Sequence, residues 1–309
     1  MRIFVTGATG FIGSAVVGEL SGAGHSVLGL ARSDAAARAL QAAGADALAG
    51  DVEDLESLRR GAASSEAVIH TAFIHEFSRW QENCETDRRA IEALGAALEG
   101  SQRPLIVTSG ITAETPGRLR TEEDPAAPSA VSPRSASEEA ALSVAARGVR
   151  TSVVRLPQVH DPEKQGLVTY LIAVARAKGV SAYVGDGANR WPAAHRLDVA
   201  HLYVLALERR AALARYHAVG EEGVPLRDIA EAIGRRINVP VKSIAAEESA
   251  AHFGPIGHFV VRDASSSSAL TRTWLGWKPT GPGLIEDLDS GARFEPEADS
   301  SVRAVLAES

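Results

Sequence analysis

The first thirteen residues constrain the fold more than any other stretch of this 309-residue chain. Residues 2–6 form a short apolar run that predicts a β-strand, and a glycine-rich segment, residues 7–13, follows at once. An Ala- and Val-rich helical pattern begins at Ser14. A strand, a glycine turn and a helix in direct succession bring unpaired backbone N–H groups and the positive end of a helix dipole to the turn. The stretch therefore predicts a site for the diphosphate of a dinucleotide.

The glycines of this turn each have a predicted reason. Gly7 and Gly10 lack the Cβ that would prevent the backbone from turning tightly and approaching an anion. Gly13 allows the helix to pack close to the strand. The other predicted diphosphate contacts in the segment are Thr9, Phe11 and Ile12. A loop that is glycine-rich by coincidence is the alternative, and the flanking strand and helix argue against it.

The overall composition excludes several classes of protein. A formal net charge of −7 argues against nucleic acid as a partner, because phosphate backbones are bound by basic surfaces. The single cysteine, Cys84, excludes an intrachain disulfide and a cysteine-rich metal site, and the histidines show no metal-ligand spacing. No apolar run reaches the ~18 residues of a membrane-spanning helix. We therefore expect a cytoplasmic protein without signal peptide, membrane span or metal.

Strand and helix patterns alternate through the first half of the chain. Strands are predicted at residues 2–6, 26–30, 46–49, 67–70, 104–108 and 150–156, and helices at 34–43, 54–61, 78–98 and 134–147. Such alternation predicts an α/β fold with a Rossmann-like, doubly wound parallel sheet. We expect residues 1–160 to form the dinucleotide-binding domain and residues 161–295 a smaller mixed C-terminal substrate lobe, interleaved with the sheet. Residues 296–309 are expected to form a flexible tail.

The end of the second predicted strand bears on the choice between NAD and NADP. An acidic residue there binds a free ribose hydroxyl, whereas a basic residue accommodates a 2′-phosphate. Arg32 and Ser33 occupy this place, and a guanidinium group matches phosphate geometry. Asp34 is the predicted N-cap of the next helix. We expect NADP rather than NAD, with a plain surface arginine as the alternative, and we place Asp51 and Val52 beside the adenine.

Several segments resemble the extended short-chain dehydrogenases and reductases, the superfamily of NAD-dependent epimerases and dehydratases. They are residues 6–13 (TGATGFIG), 68–72 (VIHTA), 155–160 (RLPQVH), 185–187 (GDG) with 195–200 (HRLDVA), and 275–279 (LGWKP). The resemblance implies a nicotinamide cofactor at the carboxyl edge of the sheet and a homodimer. It also implies further cofactor contacts, at Thr71, Ala72, Phe73, Thr108, Pro157 and Val159.

The chain departs from this family at the residues that carry the chemistry. The resemblance implies a Tyr and a Lys four residues apart on the helix before the sixth strand, where the ammonium group assists the phenol that protonates a carbonyl. Arg134 stands at the Tyr position and Glu138 at the Lys position. The family's catalytic hydroxyl aligns with Ser109 or with Gly110. Ser109 and Arg134 are the predicted catalytic residues that polarise the carbonyl, and a solvated ion pair between Arg134 and Glu138 is the alternative.

Other polar residues near the same edge of the predicted sheet are substrate candidates. His75 follows the fourth strand and His160 the sixth, and either imidazole would titrate near neutral pH as a proton donor. Thr112 lies in the long loop after the fifth strand. His195 precedes a helix that we expect Asp198 to cap, and a structural role that joins the lobe to the cofactor domain is favoured for it. Surface or capping roles are as common for such histidines.

Three functions remain open at this point. The first is an atypical NADP-dependent oxidoreductase that transfers hydride to a ketone, such as a polyketide or other secondary-metabolite carbonyl, without the usual Tyr and Lys. A few polyketide ketoreductases of the superfamily are similar in lacking this pair. The second is a dinucleotide-binding sensor without turnover. The third is a nucleotide-sugar epimerase or dehydratase, which is least favoured because those reactions depend most on the missing base.

Overall fold

The computed structural model describes residues 1–111, 115 and 117–290. Its strands are β1 (Arg2–Thr6), β2 (Ser26–Ala31), β3 (Asp46–Ala49), β4 (Ala67–His70), β5 (Pro104–Gly110), β6 (Arg150–Leu156), β7 (Gln158–His160), β8 (Ser181–Val184), β9 (Arg190–His195), β10 (Arg215–His217), β11 (Glu221–Pro225) and β12 (Val241–Ile244). Its α-helices are α1 (Phe11–Gly22), α2 (Asp34–Ala42), α3 (Leu55–Ala63), α4 (Trp80–Ala96), α5 (Ala136–Ala146), α6 (Val168–Lys178), α7 (Arg196–Arg209), α8 (Leu226–Ile237), α9 (Ser249–Phe253), α10 (Gly257–Val260), α11 (Ala269–Leu275) and α12 (Leu284–Ser290). The predicted tail at residues 296–309 lies outside the described residues.

Seven of these strands form one parallel sheet in the order β10-β6-β5-β4-β1-β2-β3. The chain runs outward in one direction from β1 to β3 and in the other from β4 to β10. The order therefore reverses between β1 and β4, and the carboxyl ends of these strands border the crevice where such sheets bind ligands. The predicted doubly wound, Rossmann-like sheet is confirmed.

Alternate side chains of β1 explain why both faces of the sheet are covered. Ile3 and Val5 point into one core with residues of α1, α2 and α7, whereas Phe4 points into another with residues of α3, α4 and α5. All three side chains are fully buried. A strand that is buried on both faces requires a continuous apolar run, which residues 3–5 provide.

The second half of the chain forms a smaller mixed lobe and also returns to the main sheet. Strand β9 pairs in parallel with β7 and antiparallel with β11, while β8 and β12 form a separate parallel pair. Helices α6, α8 and α12 pack around these strands in their own apolar core. Strand β10 extends the main sheet beside β6, and α7 packs against α1. None of the described helices has both the length and the apolar content of a membrane span.

Candidate dinucleotide and active site

The loop between β1 and α1 is a backbone cradle at the reversal of strand order. Gly7 has a φ of +66°, in the left-handed region that favours glycine. Its carbonyl oxygen accepts a 2.8 Å hydrogen bond from the Gly10 N–H. A Cβ on Gly7 would lie 2.7 Å from the Ala72 nitrogen, and a Cβ on Gly13 would lie 2.0 Å from the Gly7 oxygen. No side chain caps α1, and its first turn carries no acidic residue. The cradle therefore fits an anionic diphosphate.

A groove of about 490 Å³ opens beside this cradle, at the carboxyl ends of β2 and β3. Arg32, Ser33 and Asp51 line it. Arg32 is exposed, while the Ser33 hydroxyl accepts a 3.2 Å hydrogen bond from the Ala36 N–H and is the N-cap of α2. The predicted N-cap at Asp34 is thus wrong by one residue. The Asp51 carboxylate accepts a 3.0 Å hydrogen bond from the Glu53 N–H.

A buried hydrogen-bond chain ties the cradle to helix α4. The Ala72 N–H donates to the Thr6 hydroxyl at 3.3 Å, and that hydroxyl lies 2.7 Å from His70 Nδ1. His70 Nε2 lies 2.9 Å from the Asp87 carboxylate. Because an ionised carboxylate only accepts, His70 Nε2 carries a proton and donates a hydrogen bond to Asp87. The Thr71 hydroxyl donates to the Thr6 carbonyl at 2.7 Å, so the segment after β4 is held against the cradle at two points.

Arg134, at the position of the family's Tyr, closes the far end of this chain. It lies in a 3₁₀ turn, Pro133–Ser135, immediately before α5. Its guanidinium donates to the Asp87 carboxylate and to the Thr108 carbonyl, each at 3.0 Å, and to the Ser137 hydroxyl. The group also lies 4.1 Å from the centre of the Phe73 ring, and its side chain is only 11% exposed. Most of this cation is therefore committed to protein partners.

Asp87 stays ionised although it is buried. Burial raises the pKa of its carboxyl group, but the neighbouring Arg134 charge and hydrogen bonds from His70 and Ser137 outweigh that effect, so the pKa is lowered overall. The result is a buried ion pair between Asp87 and Arg134. No spacing rule in the sequence connects these residues, and Asp87 and His70 were not predicted as part of the site.

Glu138, at the position of the family's Lys, belongs to a second buried ion pair. Both of its carboxylate oxygens accept from Arg155 on β6, each at 2.8 Å. Arg155 also donates to the Asp124 carbonyl at 2.9 Å and lies 3.2 Å from His217 Nε2. The alternative of a solvated pair between Arg134 and Glu138 is wrong, because Arg134 precedes the helix and each residue is paired elsewhere.

Two hydroxyl groups near the end of β5 are buried. The Thr108 hydroxyl lies 2.6 Å from the Tyr203 hydroxyl on α7, and burial raises the pKa of Tyr203. This tyrosine was not predicted near the site, since it comes from a helix more than ninety residues further along the chain. Ser109 is 1% exposed, and its hydroxyl has no hydrogen-bond partner within the described residues.

The predicted substrate candidates lie in different surroundings. His75 is exposed at the carboxyl edge, with its ring centre 5.0 Å from that of Phe73. His160 is fully buried, and its Nδ1 lies 2.6 Å from the Asp287 carboxylate.

His195 is itself the N-cap of α7 and accepts a 3.3 Å hydrogen bond from the Leu197 N–H, so the predicted capping of this helix by Asp198 is wrong. Thr112 lies outside the described residues.

The remaining predicted cofactor contacts occupy the same edge of the sheet. Val52 and Phe73 are partly exposed, as are Thr71, Ala72 and Pro157, whereas Val159 is buried in the core. Because its side chain is buried, Val159 cannot contact a ligand through that side chain without rearrangement. The others stay predictions.

His217 gives the second ion-pair network a pH dependence. Burial and the adjacent Arg155 charge lower the pKa of His217 to about 3, so the imidazole is neutral when folded and takes up a proton on unfolding between its two pKa values. Stability therefore rises with pH in that window, and we expect a loss of about 2 kcal/mol between pH 7 and pH 5. Urea unfolding at both pH values, on wild type and His217→Gln, measures it. Equal losses in both proteins would contradict this assignment.

The glycine cradle at the strand reversal and the adjoining groove define a dinucleotide-binding protein of the Rossmann type. Residues 3–219 match the NAD dependent epimerase/dehydratase family, and the chain belongs to that family. Its cofactor is therefore a nicotinamide dinucleotide, and the family's enzymes are of the oxidoreductase type.

Comparison with individual proteins adds a close relative and two distant ones. A protein of Schizosaccharomyces pombe, described as uncharacterized, is 50% identical over 299 residues, which are 95% of this chain and 100% of that protein. The 4-hydroxy-2-methyl-3-oxo-4-farnesyl-3,4-dihydroquinoline-1-oxide ketoreductase of Stigmatella aurantiaca is 28% identical over 82% of this chain and 80% of its own. The structure of DesIV, a dTDP-glucose 4,6-dehydratase from Streptomyces venezuelae, matches with a TM-score of 0.74 at 20% identity, over 99% of this chain and 97% of that one. This last likeness shows the fold.

Proposed function

We propose that this protein is an NADP-dependent reductase of a ketone. One observation carries the proposal: the cofactor cradle is intact, while the two residues at the family's acid–base positions are neutralised by buried partners. Arg134 is paired with Asp87, and Glu138 is paired with Arg155. Delivery of hydride to a carbonyl depends mainly on positioning of the cofactor against the substrate, so it tolerates the loss of this acid–base pair.

The same ion pairs disfavour an epimerase or dehydratase. Those reactions start with removal of a proton from a sugar hydroxyl, which needs a base at the Tyr position. A guanidinium remains protonated at every relevant pH and cannot act as that base. Both carboxylate oxygens of Glu138 accept hydrogen bonds from Arg155, and an anionic carboxylate cannot supply the positive charge of the family's Lys.

The roles of this chain's own residues follow from their positions. Gly7, Gly10 and Gly13 hold the diphosphate, and Arg32 binds the 2′-phosphate. The bound cofactor supplies a hydride, and one further proton completes the alcohol. That proton comes from water or from an acidic hydroxyl of the substrate, and exposed His75 at the carboxyl edge can relay it. Ser109 and Arg134 then act on the carbonyl only through small rearrangements, because Ser109 is buried and the Arg134 guanidinium is committed to Asp87 and the Thr108 carbonyl.

A distant relative supports this choice. The Stigmatella aurantiaca protein is named as a ketoreductase of a 3-oxo-dihydroquinoline oxide, and the similarity covers most of both chains. The solved dehydratase structure has a similar overall fold but is less similar in sequence. Fold alone does not decide between these activities.

Consumption of NADPH tests the proposal directly. We expect purified protein to oxidise NADPH when aliphatic, aryl and 1,3-dicarbonyl ketones are supplied, with one alcohol formed per NADPH consumed, as followed by absorbance and chromatography. Reduction of a ketone in the panel with matching stoichiometry supports a reductase. Conversion of a nucleotide sugar to its epimer without net NADPH consumption would contradict it.

A dinucleotide-binding protein without turnover is the second candidate. The burial of Ser109, at 1% exposure, together with the full set of partners around Arg134, favours it, since neither group is placed to reach a substrate as the protein stands. Calorimetry that shows tight binding of NADPH, combined with no oxidation across the whole ketone panel, would select this function instead.

Arg32 is expected to set the preference for NADPH over NADH. Arg32→Gln removes a charged hydrogen-bond donor from the groove, and such bonds contribute roughly 1.5–3 kcal/mol, so NADPH affinity should fall by about 10- to 100-fold while NADH affinity changes little. Arg38→Gln is the matched control, since Arg38 lies exposed on α2 and is not among the residues that line the groove. Titration calorimetry with both dinucleotides measures the effect. Equal loss for NADPH and NADH would refute a 2′-phosphate contact.

A further inference from the structure

Five aromatic side chains gather between the cofactor domain and the lobe. They are Phe73, Phe77, Trp80, Tyr170 and Phe259, here called the aromatic cluster. Phe, Trp and Tyr make up only 5% of the chain, so this concentration at one place is a specific feature. The first three residues follow β4, while Tyr170 lies on α6 and Phe259 on α10. The cluster was not predicted, because its members come from three separate segments of the chain.

The rings contact one another in edge-to-face and stacked arrangements. The Phe77 and Trp80 rings stack with their centres 5.4 Å apart. Phe73 meets Trp80 edge-on at 5.3 Å, and Phe77 meets Tyr170 edge-on at 5.2 Å. Phe259 lies 6.0 Å from Trp80 and 6.2 Å from Phe77. The aromatic cluster is therefore continuous from the cofactor domain into the lobe.

This surface begins at the cofactor cradle. Phe73 directly follows Ala72, whose backbone nitrogen would lie 2.7 Å from a Cβ on Gly7. The guanidinium of Arg134 lies over the Phe73 ring, 4.1 Å from its centre. Arg134 stands at the position of the family's catalytic Tyr. A molecule that reacts beside the cofactor ring can thus extend onto the aromatic cluster without leaving the crevice.

Phe77 and Phe259 pack against the apolar core of the lobe, to which Tyr170 belongs, but the cluster also reaches solvent. Phe73, Phe77, Trp80 and Phe259 are each partly exposed, and only Tyr170 is buried. Partly exposed aromatic rings suit flat apolar ligands, which gain from offset stacking and edge contacts.

Two arginines beside the cluster are already neutralised. Arg79 donates to Glu82 at 2.9 Å, and Arg134 is paired with Asp87. Neither guanidinium is therefore available as the sole counter-charge for a second diphosphate. Arg262, whose backbone N–H donates to the Phe259 carbonyl, is a further cation beside the cluster. One such cation matches an uncharged ligand better than the doubly charged diphosphate of a nucleotide sugar.

We infer that the aromatic cluster binds the ring system of the substrate, and that the substrate class is an uncharged aromatic or polycyclic ketone. That the substrate is a ketone rests on the proposed reductase function, whereas the binding of aromatic rings does not depend on turnover. The carbonyl lies toward Phe73 and the cofactor, and the rings lie toward Trp80 and Phe259.

Binding to the protein loaded with oxidised NADP tests the inference without turnover. The probes are 1-tetralone, which is a bicyclic aryl ketone, 2-decalone, which is a saturated bicyclic ketone of similar size, and UDP-glucose. We expect calorimetry to give about 10-fold tighter binding of 1-tetralone than of 2-decalone, because only the former has a π face for the rings. Equal binding of the two ketones, or preferred binding of UDP-glucose, would overturn the inference.

Two variants localise the binding. Trp80→Leu keeps an apolar side chain but removes the ring, and should reduce the preference for 1-tetralone over 2-decalone to about twofold. Trp274→Leu is the control, since Trp274 lies on α11, 41% exposed, and packs against Tyr216 outside the cluster. An unchanged preference in Trp80→Leu would overturn the assignment. Preferential binding of 1-tetralone without NADPH oxidation by any ketone would refute the reductase function and leave the aromatic site in place.

Discussion

Gly13→Ala is expected to weaken binding of NADPH and NADH by about 100-fold or more. A Cβ at this position would lie 2.0 Å from the Gly7 oxygen and 2.7 Å from the Gly7 carbonyl carbon, so backbone atoms must move apart. That movement displaces the N–H groups to which we assign the diphosphate, and loss of one or two hydrogen bonds to a charged group, at roughly 1.5–3 kcal/mol each, accounts for the effect. Calorimetric titration with both dinucleotides measures it.

Gly18→Ala on the same helix provides the control. No atom lies within 4 Å of a Cβ added to Gly18, so dinucleotide affinity should be unchanged. Stability should rise by about 0.5–1 kcal/mol, because alanine is the better helix residue. Circular dichroism shows whether Gly13→Ala remains folded. A folded Gly13→Ala protein that binds NADPH as tightly as wild type would refute the assignment of the β1–α1 loop as the cofactor cradle.

The main sheet was predictable because its signals are local. The bounds of β1, β3, β4 and β6 agree with the predicted ones, since each is a short segment around two or three apolar residues and is flanked by residues that end strands. The β1–α1 turn was predictable for the same reason, because the left-handed φ of Gly7 and the close approach at Gly13 are properties of a few consecutive residues.

The lobe was predicted less completely. Strands β7, β8, β9 and β11 were not predicted, because each has only three to six residues and pairs with a strand distant in the chain. Such strands are selected by tertiary packing more than by their own residue pattern. Helices α6 and α8 have longer periodic patterns, which predict helices at residues 168–177 and 226–236, and the observed bounds differ by one residue at the C-terminal ends.

The candidate site, like the fold, was predicted only where its signals are local in the sequence. The positions of Arg134 and Glu138 could be read from the chain, but their partners could not. Asp87, 47 residues before Arg134, and Arg155, 17 residues after Glu138, come from other elements. The sequence also suggested a helical face that joins Arg134 to Glu138, and the 3₁₀ turn at Pro133–Ser135 breaks that register.

These two ion pairs change what the family's catalytic positions do. In this chain Arg134 and Asp87 fix helix α4 to the end of β5, and Glu138 and Arg155 fix α5 to β6. Side chains that join neighbouring elements through buried ion pairs do not readily take up and release protons. The proposed chemistry, in which the substrate or solvent provides the proton, is consistent with that structural use.

Glu138→Gln is therefore expected to lower the free energy of unfolding by about 3–5 kcal/mol. The substitution leaves the guanidinium of Arg155, 1% exposed, without its counter-charge, and an uncompensated buried charge is strongly destabilising. Glu99→Gln is the control, because Glu99 pairs with Arg147 at the surface and such pairs contribute about 0–1 kcal/mol. Urea unfolding of the three proteins gives the comparison.

The double variant Glu138→Met with Arg155→Met distinguishes two roles for Glu138, as a member of a buried ion pair or as an acid free to exchange protons. If the two residues act as a structural pair, the double variant should be less destabilised than the sum of the single variants, because no lone charge remains. If instead Glu138→Gln changed stability by less than about 1 kcal/mol, the carboxylate would not be committed to Arg155 and would be free to serve in proton transfer. That outcome would restore an acid–base role to the position where the family has Lys, and with it the epimerase and dehydratase reactions that the ion pair disfavours.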